Sequence, residues 1–323
     1  MNDRERFRRL MRGEPVDRPP FLEEGVRDGV LDLWHKQGLP SGRTHIDVFG
    51  LTPHENVGPD LKYASCYFGT VFDLSLRDYR KAFEVSARRF PKGWREMARR
   101  LENRHHVACI WASRGFFQAL GVGDWPTFEK ALIGTVREPE KIRDRMEIYG
   151  EFCSRMLEKT MQDVDPEFIY LSEPISNNGG PLISPAMFEE FMMPVYERII
   201  GTAKELGCDN ILLSTYGDTS LLFPMLMDAG ISMLWISEAT EVPDLDYRQI
   251  RKEFGPELGL IGGVPLSILR SGSPDVIRET LEEIVPPLLQ AGRYVPLAGG
   301  RVREEIHWSA YECYREVLAE LTG

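Results

Sequence analysis

Two short apolar runs in this chain stop abruptly in groups that can carry chemistry. Ile211-Leu212-Leu213 breaks into Ser214-Thr215-Tyr216-Gly217-Asp218, and Met233-Leu234-Trp235-Ile236 runs into Ser237-Glu238. A buried strand ending in polar side chains is how a parallel α/β protein presents reactive groups: the sheet fixes the backbone and the last residues project at its C-terminal edge. The other such edges add Ser113 and Arg114, Ser172 and Glu173 with Asn177-Asn178 beyond, Gly262-Gly263, and Gly299-Gly300-Arg301. Acids, arginines, a tyrosine and amides suit proton transfer or the binding of a charged, hydrogen-bonding ligand. None of these edge residues is a histidine or a cysteine.

Each of these residues also has a plainer reading. Glu173, followed by Pro174, could pair with a loop arginine, although it precedes an unusual Asn177-Asn178-Gly179-Gly180 loop. Asp218 stands where a helix begins and could be its N-cap. Tyr216 could be packing, or an amphipathic donor. Glu238 follows Trp235-Ile236-Ser237 and would be costly to bury unpaired, which favours a role in a site. The glycine pairs could mark tight turns or let a ligand approach the backbone. His105-His106 precede a strand and so belong to the opposite rim, at the surface. His307, on the last helix, reads as structural, and His35, His45 and His54 lie near loops without metal-like spacing.

The elements that must position these groups follow from periodicity. An N-terminal helical arm (3–11) ends at Gly13-Glu14-Pro15 and Pro19-Pro20, since proline cannot continue a helix. A helix over 30–36 follows. Residues 47–86 are broken and weakly patterned, with only short strands expected, an excursion rather than a domain, and 88–104 reads as a basic helix. From 107 the pattern alternates, with strands expected at 107–112, 168–171, 211–213, 232–236, 258–261 and 294–297. The expected helices lie at 114–120, 127–136, 139–162, 184–206, 218–229, 246–254, 274–291 and 306–321. With one or two strands near Phe21, the count approaches eight. The reading is one α/β domain over 1–323: a (β/α)₈ TIM barrel with an N-terminal helical arm and an insertion near residues 45–90. An open doubly wound sheet is second, weakened by the lack of a glycine-rich phosphate loop.

Composition narrows the class. Of 323 residues, 42% are hydrophobic, enough for a large core, and the formal net charge of −11 argues against a nucleic-acid partner. No apolar run is long enough to span a bilayer. The charged N-terminus lacks the apolar centre of a secretion signal, and five dispersed cysteines read as reduced thiols in a cytoplasmic protein.

Several motifs stand in a telling order: Arg12-Gly13-Glu14-Pro15-Val16-Asp17-Arg18-Pro19-Pro20, then Gly180-Pro181-Leu182-Ile183-Ser184-Pro185-Ala186-Met187-Phe188. Gly217-Asp218, Asp228-Ala229-Gly230-Ile231 and the run from Phe254 to Gly263 follow. In this the chain resembles the uroporphyrinogen decarboxylase superfamily of (β/α)₈ barrels, over nearly its whole length and most tightly after residue 160. The resemblance implies one of two chemistries: cofactor-free decarboxylation of uroporphyrinogen, or methyl transfer in corrinoid-dependent systems using a zinc held by a His-X-Cys pair and a later Cys. The chain departs from both. Where the decarboxylases carry an arginine-rich loop, it has Phe21-Leu22-Glu23-Glu24-Gly25-Val26-Arg27, whose two acids would repel a polycarboxylate. Where they have a histidine in the last glycine-rich turn, it has Ala298-Gly299-Gly300-Arg301. Where the methyltransferases have His-X-Cys-Gly, it has Ser214-Thr215-Tyr216-Gly217, without soft zinc ligands. A less characterised branch, with His-X-Asp-Gly-Asp at that strand end and an Asp-His pair in the last turn, is nearer, but differs at Ser214, Tyr216, Gly299 and Gly300.

The leading expectation is a divergent methyltransferase-like enzyme acting on a small methylated or aromatic compound. It binds no metal or cofactor directly; a corrinoid protein is the implied partner, and a homodimer is compatible. Glu173, Asp218, Glu238 and Tyr216 are the candidate catalytic groups. Glu23, Arg27, Arg114, Asn178, Ser214 and Arg301 are the candidate substrate contacts. Two alternatives stay open: decarboxylation of uroporphyrinogen or a smaller carboxylate, with Arg27, Arg114 and Arg301 as clamps, and a catalytically lapsed barrel that binds a ligand.

Overall fold

Runs of aliphatic residues buried on both faces give the strands, and proline and glycine decide where the helices between them break. The structure, a computed structural model, describes residues 1–67, 69, 71–237 and 245–323. Glu238 lies outside them. Backbone contacts group the chain into two units: 56–104 with 108–232, and 1–55 with 105–107 and 233–323.

In the first unit, β1 (Ala108–Ser113), β2 (Phe168–Glu173) and β3 (Ile211–Tyr216) run parallel in that order. The β2–β3 register sets Ser172 beside Ser214 and Glu173 beside Thr215, so the polar residues of two strand ends share one edge. The connection from β1 to β2 includes the 23-residue helix Pro139–Met161. It buries Ile142, Met146, Tyr149, Phe152, Cys153, Met156 and Leu157, which fall on one face of the helix. At about 1.5–3 kcal/mol for each large side chain fully buried, against tenths for helix propensity, packing fixes this helix.

At the opposite end of β1 and β2, a buried ion pair closes the unit. Arg104 reaches Glu167 at 2.7 Å with both side chains almost wholly out of water, and Glu167 also accepts from the Ala108 amide at 2.8 Å.

In the second unit, β4 (Met233–Ser237), β5 (Gly259–Val264) and β6 (Tyr294–Ala298) are likewise parallel. Their helices include Tyr247–Phe254, capped by Asp246, and Pro274–Ala291, capped by Ser273. The arm Asp3–Met11 and the last helix, Trp308–Thr322, also belong here. Gly262-Gly263 has a specific role. A Cβ on Gly263 would fall 2.7 Å from the Tyr247 ring. The ring fits there and its hydroxyl bridges two strands, accepting from Ile236 N at 2.9 Å and donating to Ile261 O at 2.7 Å.

The α/β alternation is as expected, with three kinds of correction. First, the expected helix 184–206 is two, Pro185–Phe191 and Met193–Glu205, because Pro194 has no N–H to give and its ring excludes the carbonyl four residues back. Second, the stretch 218–229 opens as a 3₁₀ turn, Ser220–Leu222, before the helix Phe223–Ala229. The basic stretch 88–104 is helical only over Trp94–Glu102, after Pro91. Third, the strand expected near Phe21 is, among the described residues, an isolated parallel bridge of Val26 to Val302. Pro19-Pro20 offers no donors, and Gly25 and Gly29, at φ 102° and 87°, leave the extended conformation. Eight paired strands are therefore not reached among the described residues. In the 45–90 stretch, where only short strands are expected, the described residues hold one, Glu55–Val57, and otherwise short helical pieces such as His45–Phe49 and Leu76–Ala82.

Replacing Arg104 by Met leaves Glu167 buried without its counter-charge. The expected loss is about 3 kcal/mol of unfolding free energy, read from urea melts of R104M against wild type; a change below about 1 kcal/mol would show that the pair does not hold this edge.

Candidate functional site

Each unit carries a polar cluster at the C-terminal ends of its strands. In the first, Glu173 closes β2 and is 1% exposed. Its carboxyl oxygens accept from Phe116 N at 3.1 and 3.2 Å, and Tyr196 Oη donates to it at 2.6 Å. The loop after β1 wraps this carboxyl so closely that a Cβ on Gly115, at φ 86°, would lie 2.7 Å from Glu173 Oε1. Burial pushes Glu173 up to about 7, against the opposing pull of Tyr196 and the Phe116 amide. Glu173 therefore organises the β1 loop.

That loop presents Arg114. Its backbone N–H donates to Tyr149 Oη at 2.9 Å, while its guanidinium lies 4.7 Å over the Trp111 ring, which stacks on Tyr170. Arg114 Nε is buried and has no hydrogen-bond partner among the described residues.

The β3 end is tied to the hairpin that follows β2. Thr215 Oγ1 donates to Glu173 O at 2.8 Å, and Thr219 links Thr215 to Ser176 in a buried chain of hydroxyls. Gly217, at φ 57°, passes against Asn177, where a Cβ would meet its carbonyl at 2.6 Å. Asp218 caps the turn that follows, accepting from Ser220 N at 3.0 Å. Tyr216 is 43% exposed, Asn178 is exposed, and Ser214 is buried beside Ser172. The structure thus brings Glu173, Ser214, Tyr216, Asp218 and Asn178 onto adjoining strand ends and their loops, with Arg114 on the β1 loop.

The cluster of the second unit centres on a residue that the strand-end reading passed over. Glu24 is reached by Ser237 Oγ, at the end of β4, at 3.2 and 3.3 Å. Burial pushes Glu24 up to about 7; Glu23 adds to the rise, while Ser237, Arg301 and Trp235 oppose it. Glu23 itself is 2% exposed and accepts from Tyr311 Oη at 2.6 Å and from the Glu24 and Gly25 amides at 2.9 and 3.3 Å. The expectation of Glu23 as a substrate contact thus falls on a side chain already held on three sides. Its neighbour is the group with an open chemical role. The signal was present: two consecutive acids in an otherwise apolar stretch that must pack against strand ends. His54 stands edge-on to Trp235 at 5.5 Å and is pushed down to about 4 by burial, so it is neutral at ordinary pH. Arg27 and Arg301 are exposed on either side of the Val26–Val302 bridge, and Arg301 donates to Val26 O at 3.0 Å.

Among the described residues no group of three or more His, Cys, Asp or Glu stands where it could hold a metal ion. Cys109 and Cys153 are wholly buried, and burial pushes both thiols up, Cys153 to about 12. No helix among the described residues is long and apolar enough to cross a membrane.

Parallel strands alternating with helices, and acids gathered at the strands' C-terminal ends, define an α/β protein of the kind whose sites are built on strand ends. Residues 122–299, more than half of the chain, match the family described as Uroporphyrinogen decarboxylase (URO-D), and the chain belongs to it. Among solved structures it is similar to a methyltransferase from Methanosarcina mazei, at 16% identity over the whole of both chains with a TM-score of 0.65, a likeness of fold. Xylanase B from Clostridium stercorarium F9 is more distant, at 10% identity over 84% of this chain and 88% of that one, with a TM-score of 0.42. No curated protein matches the chain in sequence.

A buried acid whose proton is held more tightly in the fold makes stability depend on pH in a definite direction. Glu173 favours its protonated form when folded, so its contribution is complete below about pH 4.5 and is lost as pH rises through about 7. Relative to E173Q, wild type is expected to lose roughly 2–3 kcal/mol of unfolding free energy between about pH 5 and about pH 8. Parallel pH dependences of the two proteins would count against this reading of Glu173.

Proposed function

We propose that this chain is a methyltransferase-like enzyme of its family, acting on a small methylated or aromatic compound, with Glu24 as the group that handles the proton. The observation that carries the reading is the Glu24 carboxyl reached by the strand-end Ser237 hydroxyl at 3.2 Å and set beside a second acid, where burial pushes it up to about 7. Detaching a methyl group from oxygen or nitrogen leaves a basic atom, and an acid poised near working pH is suited to protonating it. Glu24 gives its proton to that atom as the bond to the methyl carbon breaks. Ser237 orients the carboxyl and Glu23 maintains the charge behind it. A corrinoid-bearing partner protein, when docked, supplies the acceptor for the methyl group.

Zinc does not fit this chain's own residues. A hydroxyl and a phenol, Ser214 and Tyr216, stand where the family resemblance implies soft ligands, and no step is routed through that metal. The acids at 23 and 24 also oppose a polycarboxylate such as uroporphyrinogen. Arg114 favours a second reading, decarboxylation of a smaller acid: its buried Nε on the Trp111 ring, without a hydrogen-bond partner among the described residues, is suited to a single carboxylate.

The test offers small O- and N-methylated compounds with a cob(I)alamin acceptor, and in parallel uroporphyrinogen and small aromatic carboxylates. Methyl transfer by wild type, reduced about 100-fold or more in E24Q, is the expected result. Equal turnover by E24Q would remove Glu24 from the chemistry, and carbon dioxide release without methyl transfer would move the assignment to the second reading.

A further inference from the structure

Glu24 owes its placement to its neighbour. Glu23 is buried among Tyr311, Tyr314, Arg315 and His45, and every hydrogen bond recorded for its carboxyl is one that it accepts. The bonds are of two kinds. Tyr311 Oη, from the last helix, fixes Glu23 from behind at 2.6 Å. The Glu24 and Gly25 amides bind the other oxygen, Oε1, so the side chain of Glu23 holds the backbone from which Glu24 projects.

We propose that Glu23, braced by Tyr311, is a positioning residue: it fixes the backbone beneath Glu24 and sets its own carboxyl beside that of Glu24. The inference rests on Glu24 as the proton-handling group of this site. Among the described residues, the other polar and charged groups around Glu24 are Ser237 and Trp235 on β4, Arg301 after β6 and Tyr247 on the helix after β4. Ser237, Trp235 and Arg301 favour the ionised form of Glu24, so Glu23 is the neighbour that opposes them. A substitution that removes its charge while keeping its size separates charge from packing.

Trp235 lies within reach of Glu24 and reports on it. Its emission is followed from about pH 5 to about pH 9 in the full-length protein, taking as the Glu24 signal the part lost in E24Q; the expected wild-type midpoint is about 7. In E23Q the midpoint is expected to fall by about half to one pH unit. Y311F leaves the charge in place but frees its anchor, and is expected to shift the midpoint the same way by less. Together the two variants keep the test open should one fold poorly. A midpoint within about 0.2 unit of wild type in both would overturn the proposal, because a purely structural Glu23 would not move it. An emission change that is the same in E24Q as in wild type, leaving no part to assign to Glu24, would overturn it too. If the midpoint shifts as expected while E24Q turns over normally, the catalytic reading of Glu24 fails and the positioning role of Glu23 stands.

Discussion

Two consecutive glutamates withdrawn from water cannot both be ionised without cost, and the region around Glu23 and Glu24 is built on that constraint. Glu23 takes the strong donors, a phenol and two backbone amides. Glu24, with a serine hydroxyl and an indole for company, is left to hold a proton near neutrality. The division follows from the donors available to each side chain. It gives one residue a structural task and the other a chemical one.

Glu173 shows the same physics put to another use. It too is buried and pushed up to about 7, yet its oxygens are occupied by Tyr196 and the Phe116 amide, and the β1 loop closes over it. A raised pKa therefore does not by itself mark a catalytic acid. What separates the two is the company: Glu173 is sealed behind a glycine turn, whereas Glu24 sits beside a strand-end hydroxyl, an indole and an arginine.

Much of this was legible in the sequence. Strand ends that turn polar, at Glu173, Ser214 and Ser237, stood out because sheet burial demands continuous apolar runs and each interruption is visible. The helices over 246–254 and 274–291 also followed from the periodicity of their apolar residues. Less legible was whatever depends on long-range partners. Nothing near Glu23 in sequence announces Tyr311, 288 residues away, and nothing near Gly263 announces the Tyr247 ring that needs the missing Cβ. The strand expected near Phe21 failed for a local reason, a double proline and two glycines, that the count toward eight overrode. Family membership rests on the sequence match over residues 122–299, while fold likeness at 16% identity leaves the reaction to be argued from side chains.

The central claim is that a particular carboxyl, Glu24, exchanges its proton near neutral pH. The most direct measurement is a carbon NMR titration of protein labelled at the glutamate carboxyl carbon, with E24Q and E173Q used to assign the two shifted signals. A Glu24 resonance that changes from its protonated to its ionised position with a midpoint near 7 is the predicted result. A Glu24 resonance already ionised at about pH 5, like an ordinary surface glutamate, would contradict it.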